Sequence, residues 1–323
     1  MTHLPLRRLG ETGPEISVVG IGCNNFGRAG TVTESFEGTR AVVDAAIRYG
    51  INFFDTAEMY GQPPGTSELL LGEALRKRDR ESVVIATKWG HQAAHAHGAE
   101  SWGPKGARQY IRHAVEASLR RLQTDYIDLY QLHTPDPHTP IVDTLGALQE
   151  LIDEGKVRHI GHTNLTAQQV AVANEIAAAN GLRTFTSAQN DYSLLQRGPE
   201  AEILPEVDQA GMGFLPFYPL ANGLLTGKYT KDRTPDGSRL QVVKPQLLED
   251  VDWAQLAAYQ QICEDAGLTM LQATFGWLLS HQMLTSVIAG ATKPEQVQAN
   301  AEAGRTELQG DVLAAIDTLF PVR

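Results

Sequence analysis

Four residues stand in an order that suits proton transfer: a carboxylate at Asp55, a phenol at Tyr60, an amine at Lys88 and an imidazole at His133. Asp55 ends the apolar run Asn52-Phe53-Phe54, and Tyr60 follows five residues later. A free tyrosine has a pKa of about 10, so it is a poor acid at neutral pH unless a nearby cation stabilises the phenolate. Lys88 can be that cation. A carboxylate at Asp55 would keep the amine charged against the desolvation that burial brings. His133 can hydrogen-bond a substrate oxygen beside the phenol. Taken singly, each residue also has an ordinary reading, as a buried ion pair, a core tyrosine and a loop histidine. The chemistry requires a fold that gathers them.

The hydrophobic pattern supplies one. Strand-like runs at 18–22, 51–55, 83–87, 126–132, 157–162, 184–189, 212–217 and 286–289 alternate with amphipathic helical stretches. Eight strand–helix units in series predict an α/β fold, a closed (β/α)8 barrel of the TIM type. Apolar runs at 6–9 and 16–19 around Gly10-Glu11-Thr12-Gly13 predict a hairpin placed to plug the barrel. Thr139 and Pro140 read as the N-cap and first residue of a helix whose Ile141, Leu145, Leu148 and Ile152 share a face, with Gly155 closing it. The stretch 107–122 repeats that stripe. The connections 88–106 and 217–286 exceed those of a minimal barrel, and the second carries an extra helix over 253–266. The whole chain, 1–323, reads as a single domain.

In such a barrel the C-terminal strand ends share one mouth. In order they bring Asp55 with Tyr60 just beyond, then Lys88, His133, Thr163, Asn164, Gln189, Phe217, Thr292 and Lys293. Asn164 and Gln189 offer donors and acceptors suited to a carboxamide, and Phe217 offers a flat apolar face. Together they suit a nicotinamide ring, placed so that hydride reaches a carbonyl carbon while Tyr60 protonates the oxygen.

Other readings fail. Lys and Arg total 27 against 38 Asp and Glu, a net charge of −11, which argues against a nucleic-acid surface. No window approaches 18 uncharged apolar residues, so membrane insertion is not expected and the cytoplasm is. Cys23 and Cys263 form neither a disulfide framework nor a zinc motif. His91, His95 and His97 lack an acidic or cysteine partner and read as a solvated loop, so no metal site is expected. Val19-Gly20-Ile21-Gly22 with Gly27 misplaces the third glycine of a dinucleotide fingerprint, and Gly223 to Tyr229 is one residue short of a phosphate-binding loop.

The chain resembles the aldo-keto reductases over essentially its whole length. The resemblance rests on Asp55-Thr-Ala-Glu-Met-Tyr60-Gly61, Ala86-Thr-Lys88, the stretch from Ser118 to Leu129 with Gln131-Leu-His133, Gln189-Asn-Asp-Tyr-Ser-Leu194, Phe217-Tyr-Pro-Leu-Ala221, Gly227-Lys-Tyr229 and Ala289 to Gln296. It implies a barrel that binds NADP(H) in extended form and reduces aldehydes or ketones, with Asp55, Tyr60, Lys88 and His133 as the catalytic tetrad. It implies cofactor contacts from Thr163, Asn164 and Gln189 at the carboxamide and from Phe217 stacking on the ring. Pro219, Leu220, Lys228 and Arg239 fall on the pyrophosphate side; Gly290, Thr292, Lys293, Gln296 and Asn300 fall at the adenosine end. Thr163 stands where serine is usual, Phe217 where tyrosine or tryptophan is commoner, Tyr218 where serine is usual, Ala299 where a glutamate often contacts adenine, and Gln296 where arginine is common. Lys293, near the expected 2′-phosphate, favours NADP over NAD.

The motif wording is nearest the branch of bacterial glyceraldehyde-3-phosphate-type reductases and potassium-channel β subunits. That branch implies a small carbonyl substrate or, alternatively, a nicotinamide-binding regulatory role with slow turnover. Composition is compatible with a monomer or a homo-oligomer.

Overall fold

The computed structural model describes residues 4–92 and 99–322. It opens with an antiparallel hairpin, β1 (Leu6–Arg8) and β2 (Glu15–Ser17). Eight strands follow in one parallel sheet: β3 (Val19–Gly22), β4 (Phe53–Asp55), β5 (Val84–Trp89), β6 (Ile127–Leu132), β7 (Val157–Thr163), β8 (Ser187–Asp191), β9 (Gly213–Phe217) and β10 (Val287–Gly290). Each pairs with its neighbour in sequence, and β10 returns to pair with β3. Between β9 and β10 the ring is completed by a bridge of Phe214 with Leu284, whose hydrogen bonds, Phe214 N–H to Met283 O and Thr285 N–H to Phe214 O, are both 3.0 Å. The fold is thus a nearly closed (β/α)8 barrel, and all eight expected strands lie within a few residues of their spans.

Helices α1 (Phe36–Arg48), α2 (Thr66–Leu75), α3 (Arg108–Leu122), α4 (Ile141–Asp153), α5 (Ala167–Asn180) and α6 (Ile203–Gln209) follow β3 to β8 in turn. The long connection after β9 inserts α7 (Arg239–Val242) and α8 (Trp253–Asp265) before α9 (Met270–Ser280), and α10 (Pro294–Ala303) and α11 (Gly310–Leu319) complete the chain. Local chemistry sets several boundaries. Thr166 with Gln169, and Thr269 with Gln272, form reciprocal capping boxes that satisfy otherwise orphaned N–H groups at the starts of α5 and α9. One expected cap is corrected. Pro140, not Thr139, is the N-cap of α4, and the Thr139 hydroxyl donates instead to Asp136 Oδ2 at 2.8 Å. That aspartate also accepts the Gly106 N–H, so the threonine is drawn into a loop anchor.

The hairpin closes the N-terminal end of the barrel. Leu9 and Ile16 form a buried cluster with the inward-facing Phe53, Val84, Ala86, Leu129, Leu215 and Ile288. Gly213 makes room for this plug, since a Cβ there would lie 2.6 Å from Leu9 Cδ1. The larger cluster lies between the sheet and the helices. Leu9→Ala should leave a cavity under the barrel and cost about 2–5 kcal/mol of stability, measurable by urea denaturation. A loss below about 1 kcal/mol would mean that the hairpin does not seal the barrel.

Candidate active site

Alternation along the strands aims one set of side chains inward, and at the C-terminal ends this set turns polar. Asp55 ends β4, Lys88 lies near the end of β5, and Gln131 and Gln189 occupy inward positions on β6 and β8. All four are buried. Lys88 Nζ donates to Asp55 Oδ2 at 2.5 Å and to Thr56 O at 3.0 Å. The other carboxylate oxygen, Oδ1, accepts from Gln131 Nε2 at 3.0 Å and from Gln189 Nε2 at 3.2 Å. Burial alone would strip the proton from Lys88, but the Asp55 charge and the neighbouring Tyr60 overcome it, so its pKa is raised.

Tyr60 reaches this pair from the turn between β4 and α2. Its carbonyl accepts the N–H groups of Gly65 (3.2 Å) and Ser67 (3.1 Å), which pins the residue against the start of α2. Gly61, at φ +88°, is needed there because a Cβ would approach Thr66 Cβ to 2.7 Å and Ser67 N to 2.8 Å. Lys88 Nζ lies 5.2 Å from the Tyr60 ring centroid. His133, just past β6, meets that ring edge-on at 5.8 Å, and His91 meets the histidine edge-on at 4.7 Å. His95 and His97 lie outside the described residues.

The two titratable rings respond differently from the simplest expectation. Desolvation raises the Tyr60 pKa, and Lys88 opposes this without reversing it. The phenol therefore stays protonated at neutral pH. Burial, with the charges of Lys88 and Lys105 nearby, pulls His133 well below the ordinary histidine value, so its ring is neutral. Its Nδ1 is buried without a hydrogen-bond partner among the described residues.

The expected cofactor residues lie on or after the C-terminal parts of β7, β8, β9 and β10. Thr163 ends β7, and its buried hydroxyl has no partner among the described residues. Asn164 takes φ +65°, its N–H donates to Gln189 O and its Nδ2 to His133 O at 3.1 Å. Phe217 ends β9, and Pro219, Leu220 and Lys228 follow in the next loop. Arg239 begins α7, and its buried Nε has no hydrogen-bond partner among the described residues. Gly290 ends β10, Lys293 caps α10, and Gln296 accepts from the Thr292 N–H (2.8 Å) and hydroxyl (3.2 Å). Asn300 is buried on α10.

Sequence reasoning assigned no role to Gln131, Thr56 or Glu58. The signal for Gln131 was its place two residues before His133 on an inward face. Glu58 lies between Asp55 and Tyr60 and is buried. Its Oε1 accepts the Gly90 N–H at 2.7 Å and the Tyr110 hydroxyl at 3.1 Å, and its Oε2 has no described partner. Glu58 thereby clasps the Tyr60 turn to the loop that carries His91.

The aldo/keto reductase family pattern matches residues 18–320. An uncharacterized oxidoreductase of Bacillus subtilis, YrpG, is 32% identical over 320 residues, covering 97% of this chain and 95% of that protein. A probable voltage-gated potassium channel subunit beta of Arabidopsis thaliana is 32% identical over 92% of this chain and 90% of its own length. L-glyceraldehyde 3-phosphate reductase of Escherichia coli K12 is 29% identical over 93% of this chain and 88% of its own length. The class these features define is a (β/α)8-barrel oxidoreductase. The chain belongs to the aldo/keto reductase family.

Glu58 gives a pH test of the clasp. Desolvation raises its pKa from 4.5 to about 7, against the Gly90 and Tyr110 hydrogen bonds. Between those values the folded state holds a proton that the unfolded state has lost, so stability is greatest at low pH and falls as pH rises through 7. The full effect is on the order of 3 kcal/mol. Glu58→Gln should flatten the stability profile between pH 5 and 8, read by chemical denaturation at each pH. An unchanged slope would assign the titration to another group.

Proposed function

We propose that this protein is an NADPH-dependent reductase of aldehydes and ketones. The observation that carries the reading is a protonated phenol beside a buried, charged lysine that Asp55 holds in place. A phenol that keeps its proton at neutral pH is a ready donor. Lys88 lowers the cost of the phenolate left behind. The neutral His133 ring orients the carbonyl by hydrogen bonding to its oxygen.

The residues also suit a nicotinamide cofactor. The buried Thr163 hydroxyl and Arg239 Nε, both lacking a described partner, are polar groups that a ligand would satisfy. Thr163, Asn164 and Gln189 would hold the carboxamide and Phe217 would lie against the ring. Lys228 and Arg239 would meet the pyrophosphate, and Lys293 the 2′-phosphate, which favours the phosphorylated form. When bound, the reduced cofactor supplies hydride to the carbonyl carbon. Tyr60 gives its proton to the oxygen and regains one from solvent, and in the reverse direction it acts as base. Because its pKa is raised, the reverse reaction should accelerate as pH rises above neutral, while reduction should not.

Positioned acid–base catalysis contributes roughly 10² to 10⁴ in rate. Tyr60→Phe should lower kcat for NADPH-dependent aldehyde reduction, followed at the nicotinamide absorbance, by about that factor while NADPH affinity, read by fluorescence, is retained. Turnover that survives the substitution would remove Tyr60 from the mechanism. Tight NADPH binding by the wild type without turnover on any aldehyde or ketone would instead support a nicotinamide-binding regulatory role.

A further inference from the structure

The mouth carries more positive charge than the proposed cofactor needs. Arg28 sits in the loop after β3, and that loop is fixed to the Tyr60 turn by a hydrogen bond from Gln62 N–H to Gly27 O at 3.0 Å. Gly27 abuts Gly61 and Thr66. From the end of β9 comes Tyr218, next to Phe217 and held at φ +52°, a backbone conformation that costs a non-glycine residue energy unless its surroundings enforce it. Two cations from the long connection lie over its ring, Arg239 at 5.3 Å and Lys244 at 4.7 Å.

Arg28 belongs to the same electrostatic neighbourhood. Burial lowers its pKa, repulsion from Arg239 adds to this, and Tyr218 opposes it. Tyr218 also acts on Tyr60. The Arg28 guanidinium hydrogen-bonds Asn25 Oδ1 at 3.2 Å, and neither Arg28, Arg239 nor Lys244 forms an ion pair with a described carboxylate. Asp191 lies near enough to Lys244 to feel its charge, but desolvation outweighs that cation and raises the Asp191 pKa to about 6. Partly buried cations that outnumber the carboxylate near them, and form no ion pair with it, create a place for an anion.

Lys228 and Arg239 answer a pyrophosphate, and Lys293 a further phosphate. Arg28 and Lys244 are left over, the first on the loop tied to the Tyr60 turn and the second over the Tyr218 ring. We propose that Arg28, with Lys244 and the Tyr218 hydroxyl, binds an anionic oxygen group, carboxylate or phosphoryl, carried by the carbonyl substrate. This rests on the reductase reading above. A planar guanidinium can grip either group with two parallel hydrogen bonds, and the phenol adds a third donor.

The test compares glyceraldehyde 3-phosphate with glyceraldehyde, and succinic semialdehyde with butanal, in the wild type, Arg28→Ala and Arg28→Lys. The expected result is a KM at least tenfold lower for the charged member of one or both pairs. Arg28→Ala should raise that KM by about tenfold to hundredfold, with kcat, neutral aldehydes and the NADPH dissociation constant little changed. Arg28→Lys should restore part of the loss. The phosphate pair and the carboxylate pair distinguish the two anions. Equal KM values for charged and neutral aldehydes overturn the proposal while leaving the reductase reading standing. So does a loss confined to NADPH affinity, which would assign Arg28 to the cofactor. If no aldehyde turns over, the reductase reading fails, and calorimetric titration of the protein with glycerol 3-phosphate against glycerol, with and without NADP+, still decides. Binding that Arg28→Ala abolishes supports the anion locus, and no binding in either state overturns it.

Discussion

The site depends on keeping two opposite charges, Lys88 and Asp55, inside a barrel whose floor is apolar. Withdrawing each ion from water costs several kcal/mol, and their attraction offsets that only if the remaining donors and acceptors are also satisfied. Here they are. Lys88 finds a second acceptor at Thr56 O, and the far oxygen of Asp55 takes two amide hydrogens, from Gln131 and Gln189. Strands β4, β5, β6 and β8 each contribute a side chain to this network, so barrel closure and charge burial reinforce each other. Removing either ion would leave the other uncompensated, a loss of about 3–5 kcal/mol in comparable buried pairs.

The buried ammonium acts oppositely on its two ring neighbours. It favours the charged form of Tyr60, a phenolate, and disfavours the charged form of His133, an imidazolium. Desolvation favours the neutral form of both. For His133 the two effects add, and the ring is firmly neutral. For Tyr60 they compete and desolvation wins, so the phenol keeps its proton while its conjugate base is stabilised. A proton donor needs that balance, since a tyrosine ionised at rest would have nothing to give.

The barrel was legible in the sequence because its signals are local and repeated. Eight apolar runs separated by helical stripes leave few alternatives, and the hairpin announced itself by two glycines between short runs. Asp55, Lys88 and His133 were legible because strand alternation and the rule of a common mouth place strand ends without any knowledge of side-chain contacts. The parts that were not legible depend on competition. Thr139 was read as a cap because its type and position fit, but Asp136 three residues earlier offered its hydroxyl a carboxylate. The net acidity of Tyr60 depends on how deeply its turn is buried, which no spacing encodes. Glu58 sits in the same short motif as Tyr60, yet its partners, Gly90 and Tyr110, come from 32 and 52 residues away.

The distribution of charge gives the mouth a character that the net value hides. With 38 acidic residues against 27 Lys and Arg, the molecule as a whole repels anions. Arg108, Arg112 and Lys156 on the helical exterior are engaged with glutamates. Arg28, Arg239 and Lys244 have no such described partners and are grouped around Tyr218. Exterior cations spent on ion pairs contribute little field at a distance. Those without a described ion-pair partner direct more of their field toward the opening. An anionic ligand approaching this acidic protein is therefore favoured at the mouth and disfavoured elsewhere, and the same unpaired charges that attract it are the groups available to hold it beside Tyr60.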